Sequence, residues 1–527
     1  MRRPAAVAAL LLTLSVPAAA QGTAVGDTAR ARAALAPSPY VPLDDAAYGL
    51  VDALLARGLL PSLSALDRPY TAAELLAAVD AAPPADSLGR VPAAWLRRLR
   101  RTASKYAPPA PAPERRELRV RAALVPFAAA QTGEERELML AAGEGGAYPG
   151  VWVRASAAAG PVVVGFRLAG DQSLKHDARY TGKSDRAVAG RLEDGYVAAQ
   201  WPLGELFFGR QARSWGPHVA SGLLLGRDAF TYDHAQVRIG PRRLRLDAVV
   251  ARLDDVALTP DSVAHRYLTA HRLLGRWRGL EVAASEALVY GGVDRGFEPS
   301  LANPLNVYDL AQYNEGEAGN VSYALDVALR ARRLGILSAQ VLLDDFQVDE
   351  CTPMCQEPPS WGLTLSAEGL PTFRDHRLFA SYTRVTNLAY RTPQPWERYA
   401  VLGAGLGRNF SDYDEVRAGI DLAFLEAAPL RAYVAGRRQG EGDFRLPFPP
   451  PEEYEATPEF LAGVVTHVTR FGVSASGATG WAELTGDVGY NRVRNAGHVE
   501  GRSEGGFEGR VRVSLETPWV LLGRAAP

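Results

Sequence analysis

Cysteine is almost absent from this chain. Cys351 and Cys355 are the only two in 527 residues, and they sit together in DECTPMCQEPP. A metal site would need further ligands, and no histidine lies near them in the sequence. Spaced this closely around a proline, in an oxidising compartment, the pair predicts a small disulfide-closed loop, a clamp rather than chemistry. Lysine is nearly as scarce, with Lys105, Lys175 and Lys183 set against a basic complement otherwise made of arginine. Together with the abundant alanine, this points to a GC-rich coding bias before any function. A formal net charge of -1 gives no global attraction for nucleic acid.

Catalytic signatures are missing too. There is no Gly-x-Ser-x-Gly elbow, no His-Glu-x-x-His and no phosphate-binding loop. The eight histidines are scattered, and the spacing of His265 and His271 is poor for two ligands on one strand face. The glycine run Gly403-Ala404-Gly405-Leu406-Gly407 falls inside a predicted strand and opens no helix, so a dinucleotide site is excluded. The carboxylates Asp344 and Asp345 after Gln340-Val341-Leu342-Leu343 are weak evidence for Ca²⁺. The sequons at Asn320 and Asn409 mean little in a chain of bacterial character. No enzyme activity, cofactor or metal is expected.

Long apolar runs are also lacking. Ala5 to Val16 is apolar but too short to span a bilayer, and it follows the basic Arg2-Arg3 and precedes the small residues Ala18-Ala19-Ala20. This pattern predicts a signal peptide over residues 1–20 and export. No later run reaches the roughly 18 apolar residues of a membrane helix.

Two regions with different periods follow. Over residues 44–107, apolar residues recur at helical spacing, as in Tyr48, Val51, Leu54 and Leu55. Thr71 and Glu74 have the spacing of a capping box. A third segment, from about Val91 to Tyr106, sets Trp95, Leu96 and Leu99 opposite Arg97, Arg98, Arg100 and Arg101. These predict a small three-helix bundle, followed by a Pro-rich linker over 108–116.

Over 117–516 the period is two. Arg243, Arg245 and Asp247 alternate with Leu244, Leu246 and Ala248. Arg417, Gly419 and Asp421 alternate with Val416, Ala418 and Ile420. Glu483, Thr485 and Asp487 alternate with Ala482, Leu484 and Val488. Segments of about ten residues, charged on one face and aliphatic on the other, match tilted strands crossing a bilayer. With aromatics near strand ends (Trp201, Trp277, Trp396, Trp519), the expected fold is mainly β. It is a transmembrane antiparallel β-barrel of about 16–18 strands with a periplasmic helical bundle. The alternative is a soluble periplasmic or secreted β-protein. The ending ETPWVLLGRAAP, with Trp519 short of the terminus, departs from the terminal aromatic strand common in such barrels.

The charged inner faces can pair among themselves or grip a sugar chain, since guanidinium forks hold carboxylates and hydroxyls while aromatic faces stack on sugar rings. One block stands out: GRQARSWGPHVASGLLLGRDA, residues 209–229. It resembles the signature of the Wzi family of capsule-assembly outer-membrane proteins in Gly209, Arg210, Arg213, Trp215, Gly216, Pro217, Leu223 to Leu225, Asp228 and Ala229. A second block, NPLNVYDLAQYNEGEAGN (303–320), and the later Asp344-Asp345 are similar to further family features. So is the helical leader beginning at Tyr40. His218 and Gly226-Arg227 depart from the family's usual residues.

The resemblance implies an outer-membrane barrel with a periplasmic bundle that binds capsular or exopolysaccharide in a lectin-like way. The implied glycan-binding residues are Arg210, Arg213, Trp215, Asp228, Asn303, Asn306, Asp344 and Asp345. Partners would be polysaccharide and outer-membrane lipid, with no nucleic acid, and the chain would be a monomer. Gly216-Pro217 is expected to turn at the barrel rim, with Arg213 and Trp215 aimed at the mouth or lumen. The alternative places Trp215 in the interfacial aromatic girdle and Arg213 in a rim salt bridge. A passive diffusion porin is the competing function, because it too needs a polar lumen.

Overall fold

The computed structural model describes the chain except for residues 1–36, 107–118, 134–144, 178, 316–318, 332–333, 346–357, 480 and 523–527. The expected signal peptide, linker and Cys351–Cys355 clamp therefore lie outside the described residues.

Eighteen antiparallel strands, from Arg119–Gln131 to Ser503–Leu515, pair neighbour to neighbour into a closed barrel. Closure occurs where the first strand meets the last: Phe127 to Gln131 pair with Ser514 to Arg510, and Arg119 to Leu124 with the Thr517–Leu522 continuation. Closure leaves no free sheet edge, so every strand can pair inside a bilayer. The alternation has the physical outcome its pattern predicts. Leu206, Phe208, Val416, Val434 and Phe471 are exposed on the outer face. Inside, Arg272 and Asp326 are fully buried as an ion pair at 2.8 Å, and Arg470 reaches Asp487 at 2.6 Å. An apolar exterior over a charged interior is the inverse of a soluble protein, and it identifies the belt that faces lipid.

The two ends of the barrel differ. At one end strands meet in tight turns, as at Ala159 to Val162, Trp201 to Gly204 and Trp277 to Leu280. At the other end long connections follow the strand ends Asp171, Arg210, Val293, Val385 and Gln439, among them the loops 211–232, 386–412 and 440–465. Short turns mark the periplasmic end of such barrels and long loops the outer end. Trp201, Trp277 and Trp481 are exposed beside the short turns, where an interfacial girdle belongs. Trp396, expected at a strand end, sits instead in the 386–412 loop, where its carbonyl accepts a hydrogen bond from Arg266 Nε at 2.7 Å. The side chain of Trp519 lies outside the described residues.

The helices of the N-terminal segment are α1 (Ala47–Ala56), α2 (Ala72–Asp80) and α3 (Arg90–Tyr106). The Thr71–Glu74 capping box forms, with Glu74 N–H donating to Thr71 Oγ1 at 3.2 Å and Thr71 N–H to Glu74 Oε2 at 2.9 Å. The helices do not hang free below the barrel. Leu50, Leu54, Leu66, Trp95 and Leu99 share one core with the inward residues Leu274, Ala283, Ala328 and Ile336 of the wall. Arg98 donates to the carbonyls of Glu426 and Ala478 at the short turns, both at 2.6 Å. Lys105 pairs with Glu483 at 2.6 Å and Glu516 at 2.8 Å. The helical segment is a plug seated in the periplasmic end.

Candidate functional site

The Gly204–Arg210 strand ends where the signature block turns inward. Leu206 and Phe208 face lipid, while Gln211 and Arg213, in opposite phase, are buried. From there the loop descends into the lumen and Ser214–Trp215 pairs antiparallel with Asp67–Arg68 of the plug segment. The Gly216 N–H donates to the Leu66 carbonyl at 2.9 Å. Gly216 has φ +123°, and a Cβ on it would lie 2.5 Å from the Gln340 amide, so this position requires glycine.

The turn expected at the rim therefore lies inside the barrel. A loop can be buried only if its polar backbone is satisfied, and the wall supplies partners. Gln340 accepts from Leu223 N–H at 2.7 Å and donates to the Trp215 carbonyl at 3.0 Å. The Tyr390 and Tyr399 hydroxyls donate to the Leu223 and Leu224 carbonyls at 2.7 and 2.9 Å. Leu223, Leu224 and Leu225 then fill a luminal core with Trp215, Val249, Leu268, Tyr390 and Phe444.

This placement separates the eight sequence candidates. Trp215 is 1% exposed under the Arg272 guanidinium, so it belongs neither to the lipid-interface girdle nor to an open stacking face. Arg213 is buried rather than bridged at the rim. Its Nε donates to His234 Nε2 at 2.8 Å, and its guanidinium covers the Phe207 ring at 4.5 Å. Because His234 Nε2 accepts there, Nδ1 carries the proton that reaches the Tyr232 carbonyl at 3.1 Å. Asp344 is buried as a clamp, accepting from Ser322 Oγ at 2.5 Å and Tyr390 N–H at 2.6 Å. Asn303 and Asn306 shape their own loop, accepting from Leu305 N–H at 3.1 Å and donating to the Ser300 carbonyl at 3.3 Å respectively. Asp228 is half-buried on the infolded loop, and the Asp345 side chain lies outside the described residues.

Of the eight, Arg210 reaches an open concavity. At the outer end a cavity of about 400 Å³ is lined by Tyr180, Arg191, Arg210, Phe230, Asp233 and Arg252, among others. Arg210 pairs with Asp233 through two contacts, at 2.7 and 3.3 Å. Arg191 stacks over the Phe230 ring at 3.9 Å and donates to Thr231 Oγ1 at 3.2 Å. The Asp254 carboxylate holds the Leu402 N–H at 2.8 Å, closing one side with the 386–412 loop. Burial pushes the neighbouring Tyr232 phenol up to about 12, against the nearby Arg213 charge, so it remains a neutral hydroxyl at physiological pH. Guanidinium forks, carboxylates and aromatic faces in one concavity suit a hydroxyl-rich or acidic chain. The residues missed from sequence are Arg191, Phe230, Tyr232 and Arg252. The run Phe230-Thr231-Tyr232-Asp233, just past the signature block, was the available signal.

No protein-family model matches the chain, and no curated protein matches it in sequence. Solved structures do match. Wzi, the outer-membrane protein involved in group 1 capsule assembly in Escherichia coli and a carbohydrate-binding β-barrel, superposes with a TM-score of 0.60 at 14% identity, covering 92% of this chain and 100% of its own. OprD of Pseudomonas aeruginosa superposes with a TM-score of 0.42 at 11% identity, covering 77% of this chain and 96% of its own. The chain has a Wzi-like fold, an outer-membrane barrel in architecture.

Proposed function

We propose that this protein is a non-enzymatic outer-membrane barrel that takes part in capsule assembly, binding and anchoring a surface polysaccharide at its outer end. The observation that carries this reading is the outer cavity of about 400 Å³, where Arg191, Arg210, Phe230 and Asp233 converge above a filled lumen. A long glycan could lie across such a mouth without entering it. The carbohydrate binding stated for Wzi supports the same reading through the shared fold.

The competing porin reading needs a continuous aqueous path. The helical plug and the infolded Leu223–Leu225 core both oppose it. Deleting the gene and staining cells for surface polysaccharide tests the proposal. Loss of retained polysaccharide, restored by the intact gene, is the expected result. Unchanged retention in the deletion strain overturns it.

A further inference from the structure

A second cavity lies between the plug and the barrel wall, in the periplasmic half of the lumen. Gln211, Tyr40, Tyr196, Arg121, Arg154 and Ser156 line it, among others. Ser156 and Arg154 lie close to the Ala159 to Val162 turn, which sets its depth. The wall carries small inward residues at this level, Ala123, Ser156 and Gly165, so the plug does not meet it. About 60 Å³ is open to water centres, room for about four to six waters and hence on the order of 150 Å³ of liquid, about one sugar ring.

Two features make this a built site rather than a packing gap. Gln211 is 3% exposed, and neither its Oε1 nor its Nε2 has a hydrogen-bond partner among the described residues. A buried amide is normally satisfied, so an unpartnered one lining a cavity points to a ligand. Arg121 Nε, also on the lining, is buried and likewise without a partner among the described residues. Around them the walls are held in place. Arg154 pairs with Glu516 and donates to Tyr106 Oη at 2.6 Å, and Arg167 pairs with Asp194 at 2.6 Å. Tyr40 and Tyr196 meet edge to face, with centroids 6.0 Å apart, and present ring surface.

We infer that this cavity is a second sugar subsite, one that takes a single hydroxyl-rich ring, with the Gln211 amide donating to one hydroxyl and accepting from another. The inference rests on the reading that the chain handles glycan, but at a different place from the outer cavity.

The test uses the full chain in detergent, with glucose and glucuronate as probes at about 10 mM, an excess suited to millimolar affinity. Binding is read by saturation-transfer NMR. Either sugar should bind the parent. Gln211→Leu, which removes both polar atoms without removing a protein hydrogen bond, should weaken binding at least tenfold and leave the heat-modifiable gel shift unchanged. Arg210→Ala should leave monosaccharide binding intact while reducing polysaccharide retention, which separates this site from the outer one. If Gln211→Leu fails to assemble, Ser156→Leu fills the cavity from another strand of the lining and should abolish the signal. Absence of any monosaccharide signal, with water alone in the cavity, overturns the inference. So does parent-level binding in an assembled Gln211→Leu or Ser156→Leu protein.

Discussion

Trp215 and Asp67 face each other across a two-residue antiparallel pair inside the barrel. One belongs to a loop that leaves the wall at the outer end, and the other to the plug seated at the periplasmic end. Asp67 is itself held by Arg245 at 2.5 Å, so the junction is fastened to the wall as well. The infolded 211–232 loop and the periplasmic plug are therefore one hydrogen-bonded unit.

Trp215→Ala should act on stability before binding. The ring is 1% exposed, and emptying such a site typically costs about 3–5 kcal/mol. The variant should still form a barrel, judged by heat-modifiable migration, but its plug should be cut faster by protease. A variant as protease-resistant as the parent would leave the Trp215 packing without that role.

Asp344→Ala removes the clamp on Tyr390, a residue at φ +70° whose N–H the carboxylate holds. Losing hydrogen bonds to a buried carboxylate should cost about 2–3 kcal/mol. Limited proteolysis within 386–412 should accelerate, while the strands stay protected from hydrogen exchange.

Arg210→Ala with Phe230→Ala should weaken polysaccharide retention about tenfold to a hundredfold, since an exposed charge-assisted bond and an aromatic contact are together worth about 1.4–2.8 kcal/mol. Neither residue belongs to the luminal core that holds the loop. Barrel assembly should therefore be normal, and normal retention by the assembled double variant would exclude the outer cavity as the binding site.

Docking of the plug should depend on pH through Asp45. Burial, reinforced by the nearby Glu483, raises this carboxyl from 3.8 to about 6, although the Tyr106 hydroxyl donates to it. A raised carboxyl favours the protonated folded form, so its contribution is fully present below about pH 4 and is lost as pH rises through 6. Asp44 is lowered to about 2 by Arg167 and Arg512 against the opposing effect of burial, and it acts in the opposite sense below pH 4. Protease protection of the plug should therefore decline between pH 4 and 6, and Asp45→Asn should flatten that decline.

In planar bilayers the full chain should show no steady large openings, because the plug and the Leu223–Leu225 core fill the lumen from both directions. Steady large conductance would restore the porin reading.

Arg245, Asp247, Leu244 and Leu246 show why the barrel was legible in the sequence. A pleated strand between lipid and a polar interior must alternate, and that constraint acts residue by residue along the chain. The phase of Leu206 and Phe208 against Gln211 and Arg213 followed for the same reason. The capping box at Thr71 and Glu74 is equally local. None of these residues could reveal that Trp215 meets Asp67, that Gly216 turns against Gln340, or that Arg210 shares a cavity with Arg191, Phe230 and Arg252. Those neighbours lie on different strands and loops, brought together only when the first strand closes against the last. Local periodicity determined which way each strand faces; closure of the barrel decided what fills its lumen, because a buried loop is stable only where distant side chains satisfy its backbone.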